Sequence, residues 1–119
     1  MFKIIIAGSR EFNDYPLLKS KLDAFLAETN NDEVEIVSGT ARGADILGER
    51  YASETGISIK RFPANWNLYG KRAGYIRNRE MAEYADACIV FWNGESRGTK
   101  HMIDLATLMK LTIKVVQYE

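Results

Sequence analysis

The 119-residue chain is poor in the residue types that most directly signal a chemistry. Its single cysteine, Cys88, sits inside Ala87-Cys88-Ile89-Val90-Phe91, which excludes a disulfide framework and any cysteine-based metal-ligand spacing. Cys88 reads as a buried core thiol. No apolar stretch reaches the roughly 18 residues that a membrane span requires, so a soluble protein is expected. The run Ile4-Ile5-Ile6 after Met1-Phe2-Lys3 is too short for a secretory signal core and reads as a first strand, which predicts a cytoplasmic protein. Sixteen basic residues balance sixteen acidic ones. That balance supplies no global field for polyanions, so any basic site must be local and nucleic acid is an unfavoured partner. The one histidine, His101, has no visible partner; it is either a proton donor near a site or, more commonly for a lone histidine, a surface or packing residue. No nucleophile–base pair and no carboxylate cluster suggest covalent catalysis or a metal, and no cofactor is expected. Low-complexity runs and internal repeats are also missing.

What the chain does have is 46% hydrophobic residues, enough for a packed core, and a length that suits one domain over 1–119. Apolar runs alternate with amphipathic segments, the pattern of repeated βα units around a parallel sheet. Strands are predicted at about Lys3 to Ala7, Val34 to Ser38, Ile57 to Phe62, Ala87 to Trp92 and Thr112 to Gln117, mostly near-continuous in hydrophobicity, as for strands covered on both faces. A first helix is capped by Asp14, has Pro16 in its first turn and Leu18, Leu22, Phe25 and Leu26 on one face, and ends near Asn30-Asn31. A second runs from about Arg42 to Thr55, with Ala44, Leu47 and Tyr51 inward and Gly56 as its left-handed stop. A third covers Ala73 to Tyr84. A fourth starts near Gly98-Thr99 and places Met102, Leu105, Ala106 and Met109 at helical spacing, so these methionines read as core. The expected fold is a Rossmann-like three-layer α/β domain, a five-stranded, mainly parallel sheet with helices on both faces.

In such a sheet ligands bind beyond the carboxyl ends of the strands, where strand order reverses. Three strand-end loops qualify: Gly8, Ser9 and Arg10; Ser38-Gly39-Thr40-Ala41-Arg42-Gly43-Ala44-Asp45; and Trp92 through Gly94, Glu95, Ser96, Arg97, Gly98 and Thr99. Glycines let backbone amides approach a ligand, and the hydroxyls of Ser9, Ser38, Thr40 and Thr99 can hydrogen-bond at helix starts, a combination that suits phosphate. Ordinary strand-to-helix turns use the same residues. Three such loops together, with Arg10, Arg42 and Arg97 among them, favour an anion site, because arginine's planar fork pairs with phosphate oxygens. Asp45 would repel a phosphate; it suits ribose hydroxyls, or the dipole of its own helix, or a nearby arginine. The segment Phe62 to Gly70 is long for a connection, and Trp66 and Tyr69 can stack on a base or pack on the domain surface. Lys71, Arg72, Arg77 and Arg79 make the region after it locally basic, and the i, i+4 pair Arg77–Met81 sets Arg77 beside the buried stripe.

The ordered set Ile6-Ala7-Gly8-Ser9-Arg10, Ser38-Gly39-x-x-x-Gly43-Ala44-Asp45, Phe62-Pro63-Ala64-Asn65-Trp66, Ala73-Gly74-x-x-Arg77-Asn78-x-x-Met81 and Gly98-Thr99 resembles the YspA/cpYpsA-related family of the SLOG superfamily across nearly the whole chain. The resemblance implies a Rossmann-like fold, a site for nucleotides or nucleotide-derived ligands that includes Arg77 and Asn78, and a homodimer or higher homo-oligomer. Cytokinin-activating phosphoribohydrolases of that superfamily carry Pro-Gly-Gly-x-Gly-Thr-x-x-Glu and an arginine on the preceding helix. Gly98-Thr99 is similar to its Gly-Thr and Arg77 to its arginine, but Met102 stands where the glutamate belongs. Cleavage of an N-glycosidic bond needs a carboxylate, which Met102 cannot supply. The leading expectation is therefore a sensing, sequestering or regulatory binder of a nucleotide derivative. A nucleotide N-glycosidase is the alternative, with Arg77, Asp45 and Glu95 (or Glu80) as candidate catalytic groups. Single-stranded DNA binding, as in the DNA-processing branch, is a third.

Overall fold

The structure is a computed structural model that describes residues 1–29 and 33–118. Five strands, β1 (Phe2–Gly8), β2 (Val34–Ser38), β3 (Ser58–Arg61), β4 (Ala87–Trp92) and β5 (Thr112–Gln117), alternate with helices α1 (Tyr15–Ala27), α2 (Ala44–Thr55), α3 (Trp66–Tyr69), α4 (Ala73–Tyr84) and α5 (Arg97–Leu108). A 3-10 turn over Gly70–Arg72 joins α3 to α4. The predicted stop of α1 at Asn30-Asn31 includes positions outside the described residues; the last helical residue is Ala27. Asp14 caps α1 as expected, accepting from the Leu17 amide at 3.1 Å. The start of α2 lies two residues later than predicted, because Gly43 has φ +81°, which no right-handed helix contains.

The sheet is wholly parallel, in the order β3-β2-β1-β4-β5. Alternate side chains go to opposite faces. Ile4, Ile6, Ile36, Ile89 and Phe91 meet Leu18 and Leu22 of α1 and Tyr51 and Ala52 of α2 on one side. Ile5, Val37, Cys88 and Val90 meet Met81 of α4 and Met102 and Ala106 of α5 on the other. These two layers bury β1 and β4 on both faces, which explains their uninterrupted apolar runs. The outer strands differ from expectation: β3 and β5 are largely exposed and carry Lys60, Arg61 and Lys114, charges that discourage pairing with another sheet edge.

From β1 the chain builds outward through β2 and β3, then crosses back to set β4 on the other side of β1. The helices reached from β1 and β4, α1 and α5, therefore pack on opposite faces, and a crevice opens beyond the carboxyl ends of these strands. No helix among the described residues is long and apolar enough to cross a membrane.

Candidate functional site

The crevice is built by hydrogen bonds that tie the strand-end loops together. The Ser9 amide donates to the Phe91 carbonyl at 3.0 Å, and the Ser9 hydroxyl accepts from the Asn93 amide at 3.2 Å, so the β1 and β4 loops are one unit. The β2 loop is pressed onto the β1 loop at Gly43, where a Cβ would lie 2.3 Å from the Ser9 carbonyl oxygen. Ser38 donates to Glu49 at 2.7 Å and accepts from the Thr40 amide at 3.0 Å, which supports the turn in which Thr40 adopts φ +63°. Ser96, rather than Thr99, caps α5: its hydroxyl accepts from the Thr99 amide at 3.4 Å and from the Thr99 hydroxyl at 3.0 Å. The helix consequently begins at Arg97, one residue ahead of the predicted start.

Two charged groups are drawn inward. Asp45, in the first turn of α2, is only 5% exposed and accepts from the Ala41 amide at 3.2 Å. Burial pushes its carboxyl up to about 6, against the pull of that amide and of the Arg77 and Arg10 cations. Arg77 of α4 reaches across to β2: its guanidinium donates to the Gly39 carbonyl and, from Nε, to Asn78 Oδ1 at 3.0 Å. Burial lowers the Arg77 pKa, Asp45 raises it and Arg10 lowers it again, so two cations share a partly buried space with one carboxyl. Gly39 lets both groups approach the loop closely: a Cβ there would come 2.7 Å from Arg77 Nη1 and 2.8 Å from Asp45 Oδ2, so a larger residue would have to push these side chains aside. Asn78 links α4 to α5, donating to the Gly98 carbonyl at 3.3 Å and approaching His101 Nδ1 to 3.2 Å. His101 also packs on Tyr75, with ring centroids 4.5 Å apart, and burial depresses its pKa. It thus has a partner that its isolation in the sequence did not reveal.

Around these groups lies a cavity of about 230 Å³. Gly8, Arg10, Ala41 and Asp45 form one wall; Gly74, Tyr75, Arg77 and Asn78 of α4 face them; the cap residue Ser96 with Gly98 and Thr99 of α5 close the end, with Met81 and Met102 lining it from the core and Trp66 and Lys71 at the rim. A second cavity of about 280 Å³ adjoins it, lined by Gly39, Thr40, Arg42, Pro63 and Ala64 and sharing Arg10, Ala41, Trp66 and Arg77 with the first.

Seven residues singled out in the sequence, Gly8, Arg10, Asp45, Arg77, Asn78, Gly98 and Thr99, line the first cavity, and Gly39, Thr40 and Arg42 line the second. Ser9, Ser38 and Gly43 line neither; they hold the loops from behind. Gly94 turns toward Gln117, and Glu95 and Arg97 are exposed and outside both cavities. Tyr69 is exposed as well, whereas Trp66 stands over both cavities. Gly74 and Ser96 stand within stretches quoted from the sequence but, like Tyr75, are not among the expected ligand-binding residues, yet all three line the first cavity. Gly74, Asn78 and Met81 fall on one stripe at i, i+4 and i+7, a spacing that identifies the inward face of α4 once Arg77 or Asn78 is suspected. Among the described residues no group of three or more His, Cys, Asp or Glu side chains is placed to hold a metal ion.

The sequence profile of the YspA, cpYpsA-related SLOG family matches residues 2–69, which include β1, β2 and the loops that follow them. The chain belongs to this family. Gene 61 protein of Mycobacterium phage D29 is similar to this SLOG protein along nearly its whole length, 33% identical over 126 residues, with 99% of this chain and 97% of the phage protein covered. The crystal structure of DNA processing protein A (DprA) from Streptococcus pneumoniae matches the fold with a TM-score of 0.79 at 16% identity. All of this SLOG chain is covered in that match, but it spans only about half of the DprA chain, 51%.

Proposed function

We propose that this SLOG protein binds a nucleotide or nucleotide-derived ligand in the crevice beyond β1 and β4, in a sensing, sequestering or regulatory role. The observation that carries the reading is the convergence of Arg10 and Arg77 on a glycine-bearing strand-end loop beside a buried carboxyl, at the point where strand order reverses. The two cations suit a phosphate. Asp45 and Asn78 supply an acceptor and an amide for ribose hydroxyls, and Tyr75 and Trp66 offer faces to a base.

Binding without cleavage is the favoured form of the proposal because Met102, buried at 1% exposure, lines the cavity from the core in place of a glutamate. Hydrolysis of an N-glycosidic bond has one specific observation in its favour. Asp45 is the only carboxylate lining the cavity among the described residues, and its raised pKa suits proton transfer near neutral pH. Glu80 and Glu95 line neither cavity.

The test is a thermal-shift panel of nucleoside mono-, di- and triphosphates, NAD, ADP-ribose and cyclic nucleotides, with Arg10→Ala as the control. Arg10 is exposed, so its replacement should leave folding intact. A ligand at about a hundredfold over its dissociation constant adds about 2.7 kcal/mol, roughly ten degrees in a domain of this size. A shift reduced in Arg10→Ala supports the proposal; a flat panel overturns it. Release of free base from a bound nucleotide, lost in Asp45→Asn, would convert the binder into a hydrolase.

A further inference from the structure

We infer that the ligand is a two-part molecule, with two organic groups joined by an anionic pyrophosphate or phosphodiester bridge, the bridge lying between the two cavities and one group in each. The inference rests on the nucleotide reading above and narrows it. Its basis is the way the cavities join. The residues common to both are Arg10, Ala41, Trp66 and Arg77, so the exposed Arg10 and the partly buried Arg77 stand at the waist where the cavities meet rather than at either end. A mononucleotide with its phosphate at that waist would fill one cavity and leave the other to water. A bridged ligand places its charge at the waist and uses both.

Size points the same way. The cavities measure about 230 and 280 Å³. Each falls short of the roughly 300 Å³ at which small-molecule pockets begin, and the two joined lie inside the usual range.

The chemistry of the two ends is unequal. The first cavity combines the apolar and aromatic side chains of Tyr75, Met81 and Met102 with the polar groups of Asp45, Asn78 and Ser96, which suits a ring bearing hydroxyls. The second has Thr40, Arg42, Pro63 and Ala64 and no carboxylate, so it accepts a polar or anionic group without repulsion from its own walls. Trp66 is 51% exposed and stands over the waist, where it can cover the bridge from the solvent side.

The experiment is titration calorimetry with AMP and GMP against ADP-ribose, NAD and cyclic dinucleotides, on the wild-type chain and on Ala64→Phe and Ala64→Trp, which fill the second cavity to different extents. A Gly98→Leu variant, which fills the first cavity, serves as the counterpart. The expected result is that at least one bridged nucleotide binds about tenfold or more tightly than any mononucleotide. That advantage should fall with Ala64→Phe and vanish with Ala64→Trp while mononucleotide affinity stays the same, and Gly98→Leu should weaken both ligand types. Equal affinity for bridged and single nucleotides overturns the two-part ligand and leaves the nucleotide reading standing. So does an Ala64 series that affects both ligand types alike or neither. Absence of binding by every nucleotide overturns both.

Discussion

Asp45 is the residue whose environment most changes its chemistry. A carboxyl of ordinary pKa 3.8 is pushed to about 6 because the first turn of α2 faces inward and little water reaches it. Between those two values the folded protein holds more protons than the unfolded chain, so this group makes stability fall as pH rises through the window and level off above it. The size of the effect is on the order of 1–3 kcal/mol. Asp45→Asn cannot ionise. Its stability relative to wild type, measured by urea unfolding, is expected to improve by about that amount between pH 4 and pH 7. A difference that stays constant with pH would show that Asp45 titrates normally.

At the scale of elements, the site is a junction of loops, and its glycines divide into two kinds. Gly43 sits at φ +81° with the Ser9 and Arg10 carbonyls where a Cβ would go, so it fixes how α2 meets the β1 loop. Gly98, in the first turn of α5, has open space around it and no unusual backbone angle. Gly43→Ala is expected to lose about 1–3 kcal/mol through strain and displaced backbone. Gly98→Ala should keep or slightly raise the melting temperature, since alanine favours a helix over glycine by up to about 1 kcal/mol. Because Gly98 lines the first cavity, the added methyl should nonetheless weaken ligand binding. Calorimetric melting of both variants, with and without nucleotide, checks the contrast; equal destabilisation by the two would contradict the assignment of Gly43 to the scaffold and Gly98 to the cavity.

Across the whole molecule, a single sheet serves two cores, and Cys88 on the inner strand β4 lies between β1 and β5 with no exposure. Burial also pushes its thiol far above the ordinary range, so the reactive thiolate is suppressed in the native state. Labelling of Cys88 by a thiol-reactive chromophore should therefore follow unfolding, accelerating in urea in step with loss of circular dichroism. Fast labelling in buffer would mean that the α4–α5 layer opens independently of the rest. Zero net charge conceals an uneven distribution at this scale. Arg10, Arg42 and Lys71 gather at the carboxyl ends of the strands, so the global balance did not forbid a local anion site.

Local pattern was enough for most of the elements. Apolar runs locate the five strands to within a residue or two, Asp14 and Gly56 mark helix ends, and helical spacing sets Met102 of α5 inward. Those features are legible because hydrophobic periodicity and capping act over a few neighbouring residues. Gly8, Arg10 and Asp45 stand out because strand ends are where α/β sheets bind ligands, and Arg77 because its i, i+4 spacing to Met81 sets it beside the buried stripe of its helix. Strand order was another matter: placing β1 between β2 and β4 depends on contacts between residues as distant as Ile5 and Cys88. Distant packing also turned Ser9 and Ser38 onto the scaffold, gave His101 its partners Asn78 and Tyr75, and brought Trp66 over the joined cavities. The sequence by itself determined which segments form and which faces they bury. Only the tertiary structure decided which polar groups are spent holding loops and which remain to meet a ligand, because a hydroxyl or a carboxylate takes its role from neighbours that the chain supplies from far away.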